Sequence, residues 1–432
     1  MSKNDEKSVA YTDPEIAYGP NEGAEDGRNS SSFGAYFNIV CVIAGMGVLQ
    51  MAAAFKEAGW FGVIITVFSC LLCIYTGHLL IKCLYFDGKN RLQGYAAVGD
   101  AAFGKFGRYM VEFFLLCFYF GVACIFIILI SKNLSELFEL IDVTINLKIW
   151  TIIAAVVIWI PFVSFKAMKE VEILALFGTL ATVFTVVVII IVGVVDLGKA
   201  ESKAQTHSFV KPSGLPIALA SISLSFGGSP VFPAVEKTMK HPKSWTKVLA
   251  CAMGTALILY TLAGVFGYLV YGDSVQSPIF VSLLENSTGF TVGVTVAAMI
   301  AMTFHIMFAA PILLISFSLE VEKWLRITDN YMTKKKQIVS RSLLRTGLMV
   351  VFCLVSMFVP AFGDLMSLVG ALTNTQIIFV FPVVFYLKLY GWRKVRWYEL
   401  ILCAIIVVVG MISCVLGTID AIKNLKHTLD TM

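Results

Sequence analysis

Residues 221–233 read Ser-Ile-Ser-Leu-Ser-Phe-Gly-Gly-Ser-Pro-Val-Phe-Pro and interrupt an apolar run that extends from 215 to 235. Pro230 has no backbone N–H, and its ring clashes with the preceding helical turn, so it stops a helix. Gly227 and Gly228 give the backbone extra freedom just before it. The stretch therefore predicts a helix that is broken halfway along a hydrophobic segment. Inside a bilayer, the freed peptide groups must face protein, water or a bound solute.

The rest of the chain is strongly apolar. Of its 432 residues, 58% are hydrophobic and only 14% are charged, whereas a soluble domain carries about 25% charged residues. A membrane span needs about 20 mostly apolar residues. We predict an all-α membrane protein with about 11 transmembrane helices. The predicted spans are 33–55, 58–84, 108–130, 149–165, 171–196, 215–235, 246–271, 290–318, 343–359, 363–388 and 397–419.

Residues 1–32 differ from the remainder, because they are polar and rich in Asp, Glu, Asn, Gly and Ser. This composition predicts a disordered cytoplasmic tail, followed by a transmembrane domain at 33–432. With the N-terminus in the cytoplasm, 25 of the 33 Lys and Arg residues fall on the cytoplasmic side, as the positive-inside rule requires. An odd number of spans then places the C-terminus outside the cell or in a lumen.

Two glycosylation sequons, at Asn133 and Asn286, fall on the non-cytoplasmic side. Asn133 lies very close to the membrane, so Asn286 is the better acceptor.

Other classes of function find little support. The ten cysteines lie in or beside apolar runs, so they indicate no disulfide framework. The five histidines form no metal-binding pattern, and no phosphate-binding loop with a lysine is present. We expect no cofactor, no metal and no enzymatic activity. An ion channel would need a selectivity filter or a ring of charges, and the sequence has neither pattern.

Span one contains a second irregularity, Ala44-Gly45-Met46-Gly47-Val48. If spans 1–5 and 6–10 are repeats, the two irregular segments occupy equivalent positions in helices of opposite direction. The repeats would then be inverted, with the first at about 33–196, the second at about 215–388 and an extra helix at about 397–419. Paired broken helices in two such halves indicate the binding site of a transporter. The alternative, about equal for either segment alone, is that its glycines only allow close helix packing.

Broken helices favour a particular kind of ligand. The N-terminus of a half-helix offers N–H groups and partial positive charge to a carboxylate. Unwound carbonyl groups accept hydrogen bonds from an ammonium group. A zwitterionic amino acid satisfies both kinds of group at once.

Three stretches carry a resemblance to a known family. They are 35–49 followed by 54–60, 223–236, and 305–320. They resemble the amino acid/auxin permease family, and in particular the fungal vacuolar and vesicular neutral amino acid transporters. The resemblance implies the fold of the bacterial leucine transporter, with five-plus-five inverted repeats, one added helix and broken helices 1 and 6. One departure is Gln50-Met51-Ala52, which stands where the family usually has a Leu-Pro pair.

The two breaks and the implied fold together predict the site residues. The expected substrate-binding residues are Ala44, Gly45, Met46, Gly47 and Val48 in span one, Tyr119 and Phe120 in span three, and Ser225, Phe226, Gly227, Gly228 and Ser229 in span six.

The candidates for ion coupling are His305 and Thr303 in span eight. An imidazole at this depth is costly unless it has a role or a partner, and it titrates near neutral pH. The equal alternative is a neutral His305 with one bond to a carbonyl group. In the related fold, span-eight hydroxyls help to hold sodium, although Thr303 is equally suited to bond its own helix.

Polar groups elsewhere have open interpretations. Asn374, Thr373 and Gln376 in span ten line the pathway or join helices by hydrogen bonds. Glu236 stands beside Lys237, which favours a local ion pair.

The predicted function is secondary active transport of neutral amino acids, coupled to protons, by alternating access around broken helices 1 and 6. The alternatives are sodium coupling, an auxin-like carboxylate as substrate, and an ion channel. The expected partners are an amino acid substrate, H⁺ or Na⁺, and the lipid bilayer, without nucleic acid. The protein is expected in the vacuolar membrane, another endomembrane or the plasma membrane.

Overall fold

The computed structural model describes residues 28, 30–88, 90–164, 171–199, 205–285, 289–327 and 333–430. The sequon at Asn286 and almost all of the tail lie outside the described residues, so the predictions made for them are not tested here. Within the described ranges the chain is helical, apart from turns, short connections and one isolated parallel bridge between Ser30 and Met239.

Fourteen α-helices of at least seven residues form the bundle in the described part of the chain. They are α1 (Ser32–Ala58), α2 (Phe61–Leu84), α3 (Tyr95–Glu139), α4 (Leu147–Ser164), α5 (Val171–Asp196), α6 (Leu215–Ser225), α7 (Phe232–Thr238), α8 (Trp245–Tyr271), α9 (Ile279–Glu285), α10 (Phe290–Trp324), α11 (Lys334–Phe358), α12 (Phe362–Val369), α13 (Phe381–Tyr390) and α14 (Trp397–Asp430). Between α12 and α13 the chain winds as a π-helix over Gly370–Asn374 and Gln376–Val380.

The predicted spans correspond to these helices. Ten segments of the described chain are long and apolar enough to cross a membrane. Span six supplies the eleventh crossing as the two short helices α6 and α7. The helix of span three begins before the predicted span, at Tyr95, and is kinked at Phe103 and Gly104, where Gly104 has φ +63°. About 11 spans are therefore confirmed.

The contacts between helices follow an inverted repeat. Span one packs on spans five and seven, and the equivalent span six packs on spans ten and two. Span five packs on span seven, and its equivalent, span ten, packs on span two. Span eight packs on span five, and the equivalent pair, spans three and ten, is also in contact. Spans three and eight, which are equivalent to each other, are in contact as well. Exchanging each span with the one five places away thus preserves the pattern of contacts.

Spans one and ten lie at the centre of the bundle, since 83% of the most apolar stretch of each is buried. Spans nine and eleven lie at the edge, with only 17% and 28% buried. Lipid tails are as apolar as Leu, so helices associate in a membrane mainly through close packing. The buried ring of Phe55 is an example of such close packing. It lies so near Gly62 and Gly264 that a Cβ on either glycine would be 2.7 or 2.8 Å from the ring.

Two ends of the bundle are used below as reference. We call the end where α1 begins, at Ser32, the tail face. The end where α1 finishes, at Ala58, is the far face. Span six runs in the opposite direction, so α6 starts near the far face and α7 ends near the tail face.

Candidate functional site

The predicted break in span six is confirmed. Helix α6 ends at Ser225, and α7 begins only at Phe232. In between, the N–H of Gly227 donates to the carbonyl of Leu224 at 2.8 Å, and the N–H of Gly228 donates to the carbonyl of Phe226 at 2.7 Å. These are turn bonds rather than helical bonds, so the peptide groups of this segment have left the helical ladder in the middle of the bundle.

The predicted break in span one is wrong. Helix α1 runs without interruption from Ser32 to Ala58, through Ala44–Val48. Gly45 and Gly47 instead mark close approaches of other helices. A Cβ at Gly45 would lie 2.7 Å from Nε2 of His305, and one at Gly47 would lie 2.5 Å from the hydroxyl of Tyr260. The packing alternative therefore holds for span one, and its peptide groups remain within the helix.

Tyr260 of α8 joins the two central spans. Its side chain is fully buried, and its hydroxyl oxygen lies 2.7 Å from the carbonyl oxygens of both Ile43 and Ser225. One hydroxyl proton is thus shared between the tail-side half of α1 and the last residue of α6. Its ring also meets that of Phe226 edge to face at 4.9 Å. The sequence analysis did not predict this residue. Its sequence indicated only that a polar hydroxyl group lies within an apolar span.

The predicted residues of span six gather around this junction. Ser225, Phe226, Gly228 and Ser229 are buried, and Gly227 is half-buried. In span one, Ala44, Met46 and Val48 are buried within the helical core next to α8 and α5.

Span ten brings an additional polar group to the break. Asn374 is 0% exposed and lies in the π-helical segment. A Cβ at Gly227 would lie 3.0 Å from its Oδ1. Of its predicted companions, Thr373 is occupied by its own helix, since its hydroxyl donates to the carbonyl of Val369 at 2.7 Å.

The span-three candidates are placed differently from one another. The ring of Phe120 packs 5.3 Å from that of Phe352 and 6.5 Å from that of Phe317, on α11 and α10. It therefore contacts spans nine and eight rather than the break. Tyr119 is buried beside Phe118, with ring centroids 5.7 Å apart.

The two ion-coupling candidates do not share a site. His305 is 3% exposed and lies where α1, α5 and α10 meet, because a Cβ at Gly45 or at Gly178 would contact its ring nitrogens. Thr303 donates to its own helix at Met299 and accepts from Nδ2 of Asn133 at 3.0 Å, on α3. Residues two apart on a helix point to nearly opposite sides, and here they meet different helices.

The position of Asn133 disfavours it as a glycan acceptor, in agreement with its predicted closeness to the membrane. Its side chain is 1% exposed and is packed between α3 and α10. A glycan needs a surface asparagine, so Asn133 is not an acceptor in this fold.

A cavity of about 300 Å³ opens on the far face. Its lining is polar and includes residues from α1, α6, the segment before α9, α12 and α14. These residues are Gln50, Ala53, Lys56, Glu57, Ile217, Ser221, Val275, Gln276, Ser277, Gly363, Asp364, Ser367 and Asn424. The cavity lies one to two turns from the break, along α1 and α6 towards the far face. Gln50, the first residue of the stretch that departs from the family resemblance, accepts a hydrogen bond from Ser277 at the side of the cavity.

A buried ion pair joins two segments of the chain at the tail face. Nε of Arg91, in the connection from α2 to α3, lies 2.7 Å from Oε2 of Glu236 at the end of α7. Tyr85 donates to the other carboxylate oxygen at 2.6 Å, and Arg91 also donates to the carbonyl of Pro233 at 2.5 Å. The expected partner of Glu236, Lys237, is thus replaced by an arginine 145 residues away.

The chain before α1 adds hydrogen bonds at the same face. The N–H of Ser30 donates to the carbonyl of Thr238, and the N–H of Lys240 donates to the carbonyl of Ser30, both at 2.9 Å. Ser31 caps α1 by accepting from the N–H of Gly34 at 2.9 Å. The two ends of the bundle therefore differ from each other. The far face has an open cavity, and the tail face is joined by hydrogen bonds and an ion pair.

Comparison with known proteins agrees with this architecture. The family model described as transmembrane amino acid transporter protein matches residues 28–423. The chain belongs to this family. Among its relatives, amino acid transporter AVT1C of Arabidopsis thaliana is 29% identical over 408 residues, which cover 93% of this chain and 71% of the relative. Amino acid transporter AVT1H of the same organism is 28% identical over 409 residues, covering 93% and 92%.

Solved transporter structures share the fold. Mhp1, a nucleobase-cation-symport-1 family transporter in a closed conformation with bromovinylhydantoin bound, has a TM-score of 0.54 at 14% identity, covering 93% of this chain and 94% of that one. MhsT in complex with L-phenylalanine has a TM-score of 0.55 at 13% identity, covering 88% and 98%. This family member therefore has the leucine-transporter-like fold, with five-plus-five repeats and one added helix, and with span one unbroken.

Proposed function

We propose that this membrane protein is a secondary active transporter of neutral amino acids, driven by protons. The observation that carries the proposal is the interruption of span six at the centre of a transporter bundle. Discontinuous helices in this position supply peptide groups that replace the water around a charged solute. An intact bundle of eleven helices would offer no such groups.

The chemistry around the break supports a neutral zwitterion. The last turn of α6 carries partial negative charge, which favours an ammonium group. Within the break, the N–H of Ser229 donates to no backbone carbonyl in the described part of the chain, so it is suited to a carboxylate. The adjacent side chains Ser225, Phe226 and Ser229 carry no charge to pair with an acidic or basic substrate side chain.

The two faces support alternating access. Because most Lys and Arg residues lie on the side of the tail, the positive-inside rule assigns the tail face to the cytoplasm. The cavity then opens towards a lumen or the exterior, while the Arg91–Glu236 pair closes the cytoplasmic side. Rocking of one repeat against the other would open the tail face and close the cavity. We place the protein in an endomembrane, with the vacuole as the expected one, on its resemblance to the fungal vacuolar transporters.

His305 is the group we assign to proton coupling. It is buried at the contact of span one with spans five and eight, where a new positive charge would be costly unless the helices separate or water enters. The hydroxyl of Thr303, the candidate for sodium, is hydrogen-bonded to Met299 and Asn133, so it faces span three and not span one. This supports protons over sodium.

Uptake by the purified protein in liposomes tests the proposal. A panel of radiolabelled neutral, acidic and basic amino acids and an auxin-like carboxylate is offered with a pH gradient, a sodium gradient or neither. We expect accumulation of neutral amino acids with the pH gradient alone. In the His305→Gln variant, the pH gradient should no longer drive accumulation, while exchange of labelled for unlabelled substrate continues.

Three outcomes would contradict parts of the proposal. Uptake that ignores both gradients would exclude secondary coupling, and uptake driven by sodium alone would exclude protons. An unchanged response to pH in His305→Gln would remove this residue from the coupling mechanism.

A further inference from the structure

Asn374 stands out among the buried polar side chains of the bundle. It is 0% exposed, and neither its Oδ1 nor its Nδ2 has a hydrogen-bond partner in the described part of the chain. Buried polar atoms in folded proteins nearly always have a partner, so a carboxamide with both ends unsatisfied needs an explanation. Its neighbours Thr373 and Thr375 show the usual solution, because each hydroxyl donates to its own helix.

The carboxamide is directed at the break in span six. Its Oδ1 would lie 3.0 Å from a Cβ at Gly227, the half-buried glycine of the unwound segment. Because Gly227 has no side chain, the carboxamide of Asn374 approaches the backbone of the break closely. The carbonyl of Leu224, in the last turn of α6, approaches the same position, since its oxygen would lie 2.5 Å from that Cβ.

The backbone of span ten is also unusual at this point. Asn374 ends the first of two consecutive π-helical stretches, Gly370–Asn374 and Gln376–Val380. Such winding is rare and occurs frequently at functional sites. Gly370 at its start packs directly on the backbone of Ala220 in α6, so span ten is held against the helix that leads into the break.

We propose that Asn374 is a substrate-binding residue that completes the site at the break of span six. Its Oδ1 accepts a hydrogen bond from the α-ammonium group of the substrate, beside the negative end of α6, and its Nδ2 donates to the α-carboxylate. A carboxamide is suited to this task because it carries both an acceptor and a donor. The inference rests on the proposed function, and it names the residue that distinguishes amino acids from simple carboxylates.

The variant Asn374→Leu tests the inference, because it keeps the approximate volume and removes both polar ends. If the carboxamide of Asn374 has hydrogen-bond partners only when substrate is bound, the variant without substrate should unfold at the same or a higher temperature than the wild type without substrate. The reason is that the variant has lost a buried unsatisfied group. Its KM for uptake should rise about 10- to 100-fold, as expected for the loss of a hydrogen bond to a charged group. The matched control is Thr375→Val, in the same segment, whose hydroxyl is occupied by Ala371 at 2.6 Å. It should leave KM unchanged.

A second readout concerns selectivity. In the wild type, an amino acid should compete with uptake far better than the same molecule without its amino group. In Asn374→Leu this difference should shrink. Should the Leu variant fail to insert, Asn374→Ala provides the same test with a smaller side chain.

The outcomes separate the two proposals. Normal amino acid uptake by the wild type with an unchanged KM and unchanged selectivity in Asn374→Leu would overturn the inference and leave the proposed function standing. A lower unfolding temperature with unchanged KM would assign Asn374 a structural role instead. If the wild type neither transports nor is stabilised by any amino acid, the proposed function and the inference both fail.

Discussion

The buried carboxylate of Glu236 offers the sharpest test of how the tail face is closed. It is 0% exposed and bridges α7 to the connection between α2 and α3 through Arg91 at 2.7 Å and Tyr85 at 2.6 Å. The change Glu236→Gln keeps the shape of the side chain and its acceptor for Tyr85. It removes the charge that compensates Arg91, whose side chain is only 8% exposed.

The size of the effect follows from this burial. Removing one partner of a buried ion pair costs about 3–5 kcal/mol, because the other charge remains buried and uncompensated. The lower end applies here, since Gln still accepts from Tyr85 and Arg91 still donates to the carbonyl of Pro233. A change of about 3 kcal/mol corresponds to roughly a 100-fold shift away from the closed tail face.

Cys41 provides a natural reporter for this opening. It is 8% exposed and lies on the tail-side half of α1, where a Cβ at Gly178 of α5 would touch its sulfur at 2.8 Å. Its alkylation by a small hydrophilic maleimide, followed by mass spectrometry, should accelerate about 100-fold in Glu236→Gln, because labelling requires the open state.

The matched control is Glu112→Gln. Glu112 also pairs with an arginine near the tail face, but this partner, Arg108, lies on the same helix and is 53% exposed. Because Arg108 stays in contact with solvent after the change, the cost should be about 1 kcal/mol or less, and the labelling of Cys41 should stay unchanged. If Cys41 reacts equally fast in both variants, the Arg91–Glu236 pair does not hold the tail face closed, and the reasoning is refuted.

Three further changes test the packing of the site and one of its surface predictions. Gly45→Ala should destabilise the protein by about 1–3 kcal/mol, because the new methyl group would overlap the span-eight histidine. The control Gly254→Ala has no atom within 4 Å of its Cβ and should stabilise the protein by about 0.5 kcal/mol. Equal unfolding temperatures of the two variants would contradict the packing role of Gly45. Tyr260→Phe should cost about 1–3 kcal/mol, because two buried carbonyl groups lose their shared donor, and uptake should fall with it; uptake at the wild-type rate would show that the bridge is dispensable. After expression in eukaryotic cells, Asn286→Gln should abolish any shift on endoglycosidase treatment, whereas a glycan remaining at Asn133 would contradict its buried position.

The sequence was sufficient for everything that depends on local chemistry. Span boundaries follow from apolar runs, since a helix of about 20 apolar residues is the unit that crosses a bilayer. The break in span six was equally predictable, because two glycines followed closely by a proline weaken the helix at several neighbouring positions. The inverted repeat was predicted from paired irregular segments in spans one and six and from the family resemblance, and the helix contacts confirm it although span one is unbroken.

Only the tertiary structure decided what depends on partners distant in sequence. Glycine permits a helix as well as a break, so whether Gly45 and Gly47 interrupt span one was settled by His305 and Tyr260 packing against them. Glu236 found its partner in Arg91 rather than in the adjacent lysine, because folding places the α2–α3 connection beside the end of α7. The same holds for the approach of span ten to the break: composition reveals that a polar group is buried, but only the packing of helices determines what it faces.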